Sequence, residues 1–246
     1  MKVGLIGHNS AGQRKARFMP SRFDGLQLWL DASDETTITD TTGNVTAWAD
    51  KSGNGNNVTS PTFQPRTGDS TENGLNIIDF TSDQMIVPSA LYSLPNGDNT
   101  VFVVSKRATE DGSIDATFGA ATGITNEYFH IYSNVARTQS FTNRSGGGGA
   151  VSFIGPVGVN TNLNIAHMRK EGTDQTIAVN GGTEATPITA SNTATIDDFF
   201  IGTAGSGAFP LIGSIAEMLF YDRNLSPSEI SAINQYLANK WGVTLV

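Results

Sequence analysis

Apolar and polar positions alternate in short runs along most of this chain, and the runs are separated by Gly, Asn and Pro. Alternation of period two is the mark of a half-buried strand. Leu26, Leu28 and Leu30 face one way and Trp29 the other. Further runs predict strands at 44–48, 75–80, 85–87, 117–120, 128–132, 138–142, 150–154, 163–169, 176–179 and 198–202. Thr100–Ser105 is apolar throughout, as in a strand covered on both faces, and so is 215–221. In the latter, Ile215, Glu217, Leu219 and Tyr221 alternate with Ala216, Met218 and Phe220. The period changes only once. Ile230, Ile233, Leu237 and Trp241 follow at spacings of three and four, the apolar stripe of a helix. Ser226 is its expected N-cap, Pro227 its first residue, Glu229 the partner in a capping box, and Gly242 its terminator.

About a dozen short strands with turn signals between them predict an all-β sandwich or jelly roll with one short C-terminal α-helix. At 246 residues the chain suits one such domain, assigned to residues 23–246, and no internal repeat or second domain is visible. Residues 1–22 stand apart as an extended N-terminal arm. Lys2-Val-Gly-Leu-Ile-Gly7 lacks the glycine spacing and the following helix–strand unit of a dinucleotide site.

Charge sharpens this division. The arm holds Lys2, Arg14, Lys15, Arg17 and Arg22 with no acid, so it carries +5, and the remainder carries −13, giving −8 in all. A basic arm on an acidic body suits an acidic protein surface, with Arg14, Lys15 and Arg17 as the partner-binding residues. The acidic body disfavours general nucleic-acid binding. There is no cysteine, hence no disulfide framework and no Cys-based metal site. No stretch is long and apolar enough to span a bilayer, and no leader pattern is recognisable, so use outside the secretory route and away from membranes is expected.

Candidate chemistry is sparse. No pair of carboxylates has the spacing of a glycosidase strand: Glu110, Asp111 and Asp115 fall in a predicted turn, and Asp197 and Asp198 are adjacent. His8, His130 and His167 accompany no nucleophile elbow, and His130 reads as a packed residue. No enzymatic function is expected. Asp50-Lys-Ser-Gly-Asn-Gly-Asn56 reads first as a plain Asx turn, with calcium held by Asp50, Asn54 and Asn56 as the alternative. Tyr128, Tyr132 and Phe141, with Asn143, form a candidate carbohydrate face if those aromatics point outward; in the core they would be packing residues. Trp29, Trp48 and Trp241 are assigned to the core.

Three motifs also carry a resemblance. Leu28-Trp-Leu-Asp-Ala-Ser-Asp34, Val45-Thr-Ala-Trp-Ala-Asp-Lys-Ser-Gly-Asn-Gly-Asn56 and Gly213-Ser-Ile-Ala-Glu-Met-Leu-Phe-Tyr-Asp-Arg-Asn-Leu-Ser-Pro-Ser-Glu-Ile230 bracket nearly the whole chain. They resemble the concanavalin A-like, laminin-G-like jelly-roll superfamily. The form ending in Lys240-Trp-Gly242 is similar to modules of bacteriophage structural proteins. The resemblance implies a virion protein: a capsid decoration, head-fibre or tail-associated subunit, homo-oligomeric on the particle and anchored to other virion proteins by its arm. The alternative it implies is a lectin-like module, on a virion or secreted, that binds cell-surface glycan.

Overall fold

A computed structural model describes residues 18–109, 113–123, 125–133, 138–143, 152–154, 161–189 and 195–246. Its organising element is β17 (Ile212–Tyr221). One edge of β17 pairs antiparallel with β8 (Asn99–Arg107), from Gly213 opposite Arg107 to Tyr221 opposite Thr100. The other edge is shared: β6 (Leu75–Thr81) takes its first half and β1 (Leu26–Asp31) its second. Beyond β8 the sheet continues through β13 (Asn164–Glu171) and β14 (Asp174–Val179) to β15 (Ile188–Thr189). Gly213 has no room for a side chain, since a Cβ there would lie 2.2 Å from the Lys106 carbonyl oxygen.

A second run of strands folds over the first. It passes from β12 (Ser152–Ile154) through β11 (Thr138–Asn143), β10 (Thr125–Ser133) and β9 (Ile114–Thr122) to β16 (Asp198–Ile201). From there β7 (Met85–Ile86) and β4 (Val58–Thr59) lead to β3 (Asn44–Trp48), which also pairs with β2 (Ile38–Thr41). β5 (Arg66–Glu72) bridges β3 to β6 and so joins the two runs into one curled, antiparallel sheet. The runs meet face to face through aromatic rings: Phe118 and Phe199 lie 5.4 and 5.8 Å from Phe220. Val101, Val103, Met218, Phe220, Phe80 and Trp48 belong to this inner core.

A second apolar layer explains the continuous apolar runs. The helix α1 (Pro227–Trp241) covers the outer face of β1, β17, β8 and β13 with Ile230, Ile233, Leu237 and Trp241. It has the predicted capping box, and Gly242 closes it at φ +72°. All three tryptophans are buried. The alternation predicted for β17 breaks at a β-bulge between Ile215 and Glu217. One extra residue reverses the faces, so Ile215 joins Met218 and Phe220 inside while Ala216, Leu219 and Tyr221 lie under the helix.

The bulge also places Glu217 beneath α1, fully buried. Its Oε1 accepts from Trp29 Nε1 (2.8 Å) and Tyr236 Oη (2.9 Å), and its Oε2 from Trp241 Nε1 (2.7 Å) and Lys240 Nζ (2.7 Å). Lys240 Nζ also reaches Asp31 Oδ1 at 2.5 Å, and Lys51 Nζ bridges Asp31 Oδ2 (2.8 Å) to Asp34 (2.7 Å). The motifs that carried the resemblance thus converge on one polar network that fastens the helix to the sheet.

Residues just before 23 also pack on the sandwich: the Phe18 ring lies 5.4 Å from that of Tyr236 of α1, tilted to it, Pro20 is buried, and Tyr221 donates to the Pro20 carbonyl (3.1 Å). One expectation shifts. Asp115 is not in a turn but in β9, buried and ion-paired with buried Arg107.

Candidate functional site

The aromatic face expected at Tyr128, Tyr132 and Phe141 is turned inward, and all three side chains are fully buried. Tyr128 donates to Asn99 Oδ1 (3.0 Å) and packs edge-on against Phe141 (5.3 Å), and Tyr132 is bonded to Ser105. Burial pushes both phenols up. The reason is register: β10 shares its inward-facing positions with the core, so alternation sends these rings to packing. The side chain of Asn143 lies outside the described residues, as do Arg14, Lys15 and Arg17. His130 points inward as well, between Thr117 Oγ1 (2.8 Å at Nδ1) and Gln139 Oε1 (3.2 Å at Nε2). Burial pulls it down to about 4, the Gln139 bond opposing only in part.

The Asp50–Asn56 loop is a closed turn. Asp50 Oδ1 accepts from the backbone of Trp29 (2.9 Å) and Ser52 (2.8 Å), and Oδ2 from Asn56 N (3.0 Å) and Ser52 Oγ (2.7 Å). Asn54 and Asn56 direct their amide N–H groups at the carbonyls of Leu26 and Gln27 (both 2.8 Å). Asp50, Asn54 and Asn56 therefore do not converge as oxygen ligands. Among the described residues no group of three or more His, Asp or Glu side chains is placed to hold a metal ion.

An open groove of about 560 Å³ lies instead on the outer surface beside β7 and β16. In β16 the inward positions Phe199 and Ile201 are buried, which leaves Asp198 and Phe200 on the outer face. Phe63 stands on the same surface, 55% exposed, on the segment before β5. Buried Ser60 Oγ holds this segment from beneath, 2.7 Å from the Phe63 carbonyl and 2.8 Å from that of Gln84, and Gln84 N donates to the Phe63 carbonyl (3.1 Å). Ser82, Gln84, Gly207 and Pro210 complete the rim. Among the described residues, the side chains of Ser82, Gln84 and Asp198 make no hydrogen bond to protein.

Two of the five non-glycine residues at positive φ among the described residues also lie here. Ser82 (φ +77°) lines the groove, and Phe209 (φ +53°) adjoins its wall at Pro210. A bulky residue in the left-handed region costs on the order of 1–3 kcal/mol and persists only where surroundings enforce it. Enforcement comes from Ser82 N bonding to Leu211 O (3.1 Å) and Ala116 N to Phe209 O (2.7 Å).

A second cleft of about 360 Å³ runs between α1 and β13. There Arg169 pairs with Glu184 (2.6 Å), and Glu184 also faces His167 (3.3 Å). Burial alone would raise Glu184, but the His167 and Arg169 bonds outweigh it and hold the carboxyl at about 2. These groups are committed to one another, whereas those of the outer groove are not.

Sequence reasoning missed the outer groove. A signal was present in Asp198-Phe-Phe-Ile201, where strand alternation alone turns Phe200 outward once Phe199 and Ile201 are inside. Phe63, flanked by Pro61 and Pro65, was the other.

Solved structures place this architecture. Trypanosoma rangeli sialidase in complex with 2,3-difluorosialic acid matches at TM-score 0.62 and 15% identity, over 89% of this chain and 33% of the sialidase. The binding domain of botulinum neurotoxin DC in complex with SialylT matches at 0.59 and 8%, over 89% of this chain and 52% of that one. The receptor binding domain of the botulinum neurotoxin C/D mosaic serotype matches at 0.61 and 14%, over 86% and 51%. The fold is a concanavalin A-like jelly roll. At these identities the likeness concerns fold alone, and this chain spans about a third of the sialidase and half of the toxin chains. No protein-family model and no curated protein matches the sequence.

Proposed function

We propose that this protein is a non-enzymatic carbohydrate-binding module, and that a sugar ring lies on Phe63 and Phe200 in the outer groove. One observation carries the reading: exposed Phe63 and half-buried Phe200 share a groove with an amide, a carboxylate and a hydroxyl that, among the described residues, no protein group engages. A pyranose presents an apolar C–H face and a rim of hydroxyls, so it needs this combination of stacking surface and planar hydrogen-bonding groups. In this reading Gln84 accepts and donates, Asp198 accepts from one or two sugar hydroxyls, and Ser82 completes the rim. Support in kind comes from the neighbouring folds, since the sialidase was solved with 2,3-difluorosialic acid and the toxin domain with SialylT. The acidic body and the basic arm remain compatible with such a module displayed on a virion, as the resemblance implies.

The groove is shallow, so a single sugar should bind weakly, with Kd on the order of 1 mM, about −4 kcal/mol. A glycan array probed with the purified chain, followed by calorimetric titration of the strongest hit, tests the reading. Phe63→Ala and Asp198→Ala should each weaken binding about tenfold, about 1.4 kcal/mol, while leaving the melting temperature within a degree or so. Unchanged affinity in both variants would remove the groove as the site.

A further inference from the structure

We propose that Lys240 and Asp31 condense into an intramolecular amide, an isopeptide bond, with Glu217 moving the protons. The three side chains meet under α1: Lys240 Nζ lies 2.5 Å from Asp31 Oδ1 and 2.7 Å from Glu217 Oε2. Their side chains are 7%, 5% and 0% exposed, so bulk water has almost no access. Aromatic side chains wall the site. Trp29, Trp241 and Tyr236 all donate to Glu217, and the Trp241 and Tyr236 rings stand 5.0 and 5.6 Å from Lys240 Nζ. An amine, a carboxyl and a second acid fixed together in a dry cage have the arrangement that amide condensation requires.

The step balances without any other reactant. The ground state is the ion pair, in which Lys240 and Lys51 outweigh the effect of burial and hold Asp31 below the usual carboxylate range. Condensation begins when one ammonium proton passes from Lys240 through Glu217 Oε2 to the Asp31 carboxyl. The freed amine attacks Asp31 Cγ, forming the C–N bond. Lys51, 2.8 Å from Oδ2, stabilises the negative charge that gathers on that oxygen in the tetrahedral intermediate. Glu217 then takes a second proton from the nitrogen and delivers it to the departing hydroxyl, the C–O bond breaks, and water leaves. Ammonium and carboxylate become amide and water, and nothing is oxidised or reduced. Burial pushes Glu217 up, which suits a group that must hold a proton part of the time. Effective molarities of about 10⁵–10⁸ M for fixed neighbours lower the barrier, and loss of the product water from a site almost closed to solvent draws the equilibrium towards the amide. The product removes two buried charges and keeps the Lys51 contact on the amide oxygen.

The bond would join β1 to the last turn of α1 across 209 residues of sequence. Force applied from outside positions 31 and 240 would then pass through the crosslink and bypass the sandwich.

Intact-mass spectrometry of the denatured full-length chain tests the proposal, whatever the outcome for sugar binding. The expected mass is one water, about 18 Da, below that of the sequence. A tryptic map should contain a branched peptide joining the Asp31 and Lys240 segments, with no cleavage after Lys240. Glu217→Gln and Lys240→Arg should restore the full mass and separate the two peptides. The wild-type chain needs no variant to fold for the main reading. Full sequence mass with normal cleavage after Lys240 would overturn the proposal, and so would a water loss that maps to any other residue.

Discussion

Trp241→Ala is the sharpest probe of how the helix is held. The indole is 2% exposed, packs in the layer between α1 and the sheet, and donates to Glu217 Oε2 at 2.7 Å. Truncating a buried tryptophan to alanine costs about 3–5 kcal/mol through lost transfer energy and the cavity left behind. Removing one of four donors from a buried carboxylate adds about 1 kcal/mol, at the low end because three donors remain. We therefore expect a loss of about 4–6 kcal/mol, read from urea titration by intrinsic fluorescence of the other tryptophans and by circular dichroism. Trp241→Phe separates the two parts: it keeps most of the ring but not the N–H, and should cost about 1–2 kcal/mol. Intact mass confirms that wild type and variants are compared in the same covalent state. A loss under 1 kcal/mol for Trp241→Ala would refute the docking argument, because a helix anchored as described cannot lose its largest buried side chain at that cost.

Acid should weaken the fold through His130. Its folded value, about 4, lies below the unfolded value near 6.5, so the unfolded chain takes up the proton first as pH falls. The contribution is fully present above pH 6.5, erodes between 6.5 and 4, and amounts to about 3 kcal/mol once lost. His130→Gln should flatten that part of the stability profile measured by urea titration at each pH; an unchanged slope would count against the assignment. Calcium or a chelator should leave the melting temperature unchanged, since the Asp50 carboxylate is saturated by four protein donors. Asp50→Ala should lower stability by about 2 kcal/mol for the same reason, and a chelator effect in wild type would contradict it.

Much of the fold was legible because its elements obey simple periods. The helix from Ser226 to Gly242 declared its cap, stripe and terminator, and Thr100–Val104 declared burial on both faces. β5 did not, since Arg66-Thr-Gly-Asp-Ser-Thr-Glu72 has no apolar residue and forms a strand only because β6 offers it an edge. The bulge in β17 was invisible for a different reason. Alternation is read from sequence as if strands were regular, and one inserted residue at Ala216 sends Ile215 and Glu217 to opposite faces. The direction of the candidate carbohydrate face was open in the sequence: Tyr128 and Tyr132 alternate as a platform or as core residues would, and which side of β10 faces the core depends on strands far away in sequence. The outer groove gathers Phe63, Ser82, Gln84 and Asp198 from separate segments, so only tertiary pairing of β7 with β16 brings them together.

Backbone amide shift mapping by NMR, with the strongest glycan from the array titrated into isotope-labelled protein, tests the carbohydrate reading most directly. The groove predicts that the largest perturbations fall on Phe63, Ser82, Gln84, Asp198 and Phe200, saturate with sugar, and need about ten times more sugar in Phe63→Ala. Perturbations centred on His167, Ile230 and Asn234 in the α1–β13 cleft, or none at millimolar glycan, would contradict it.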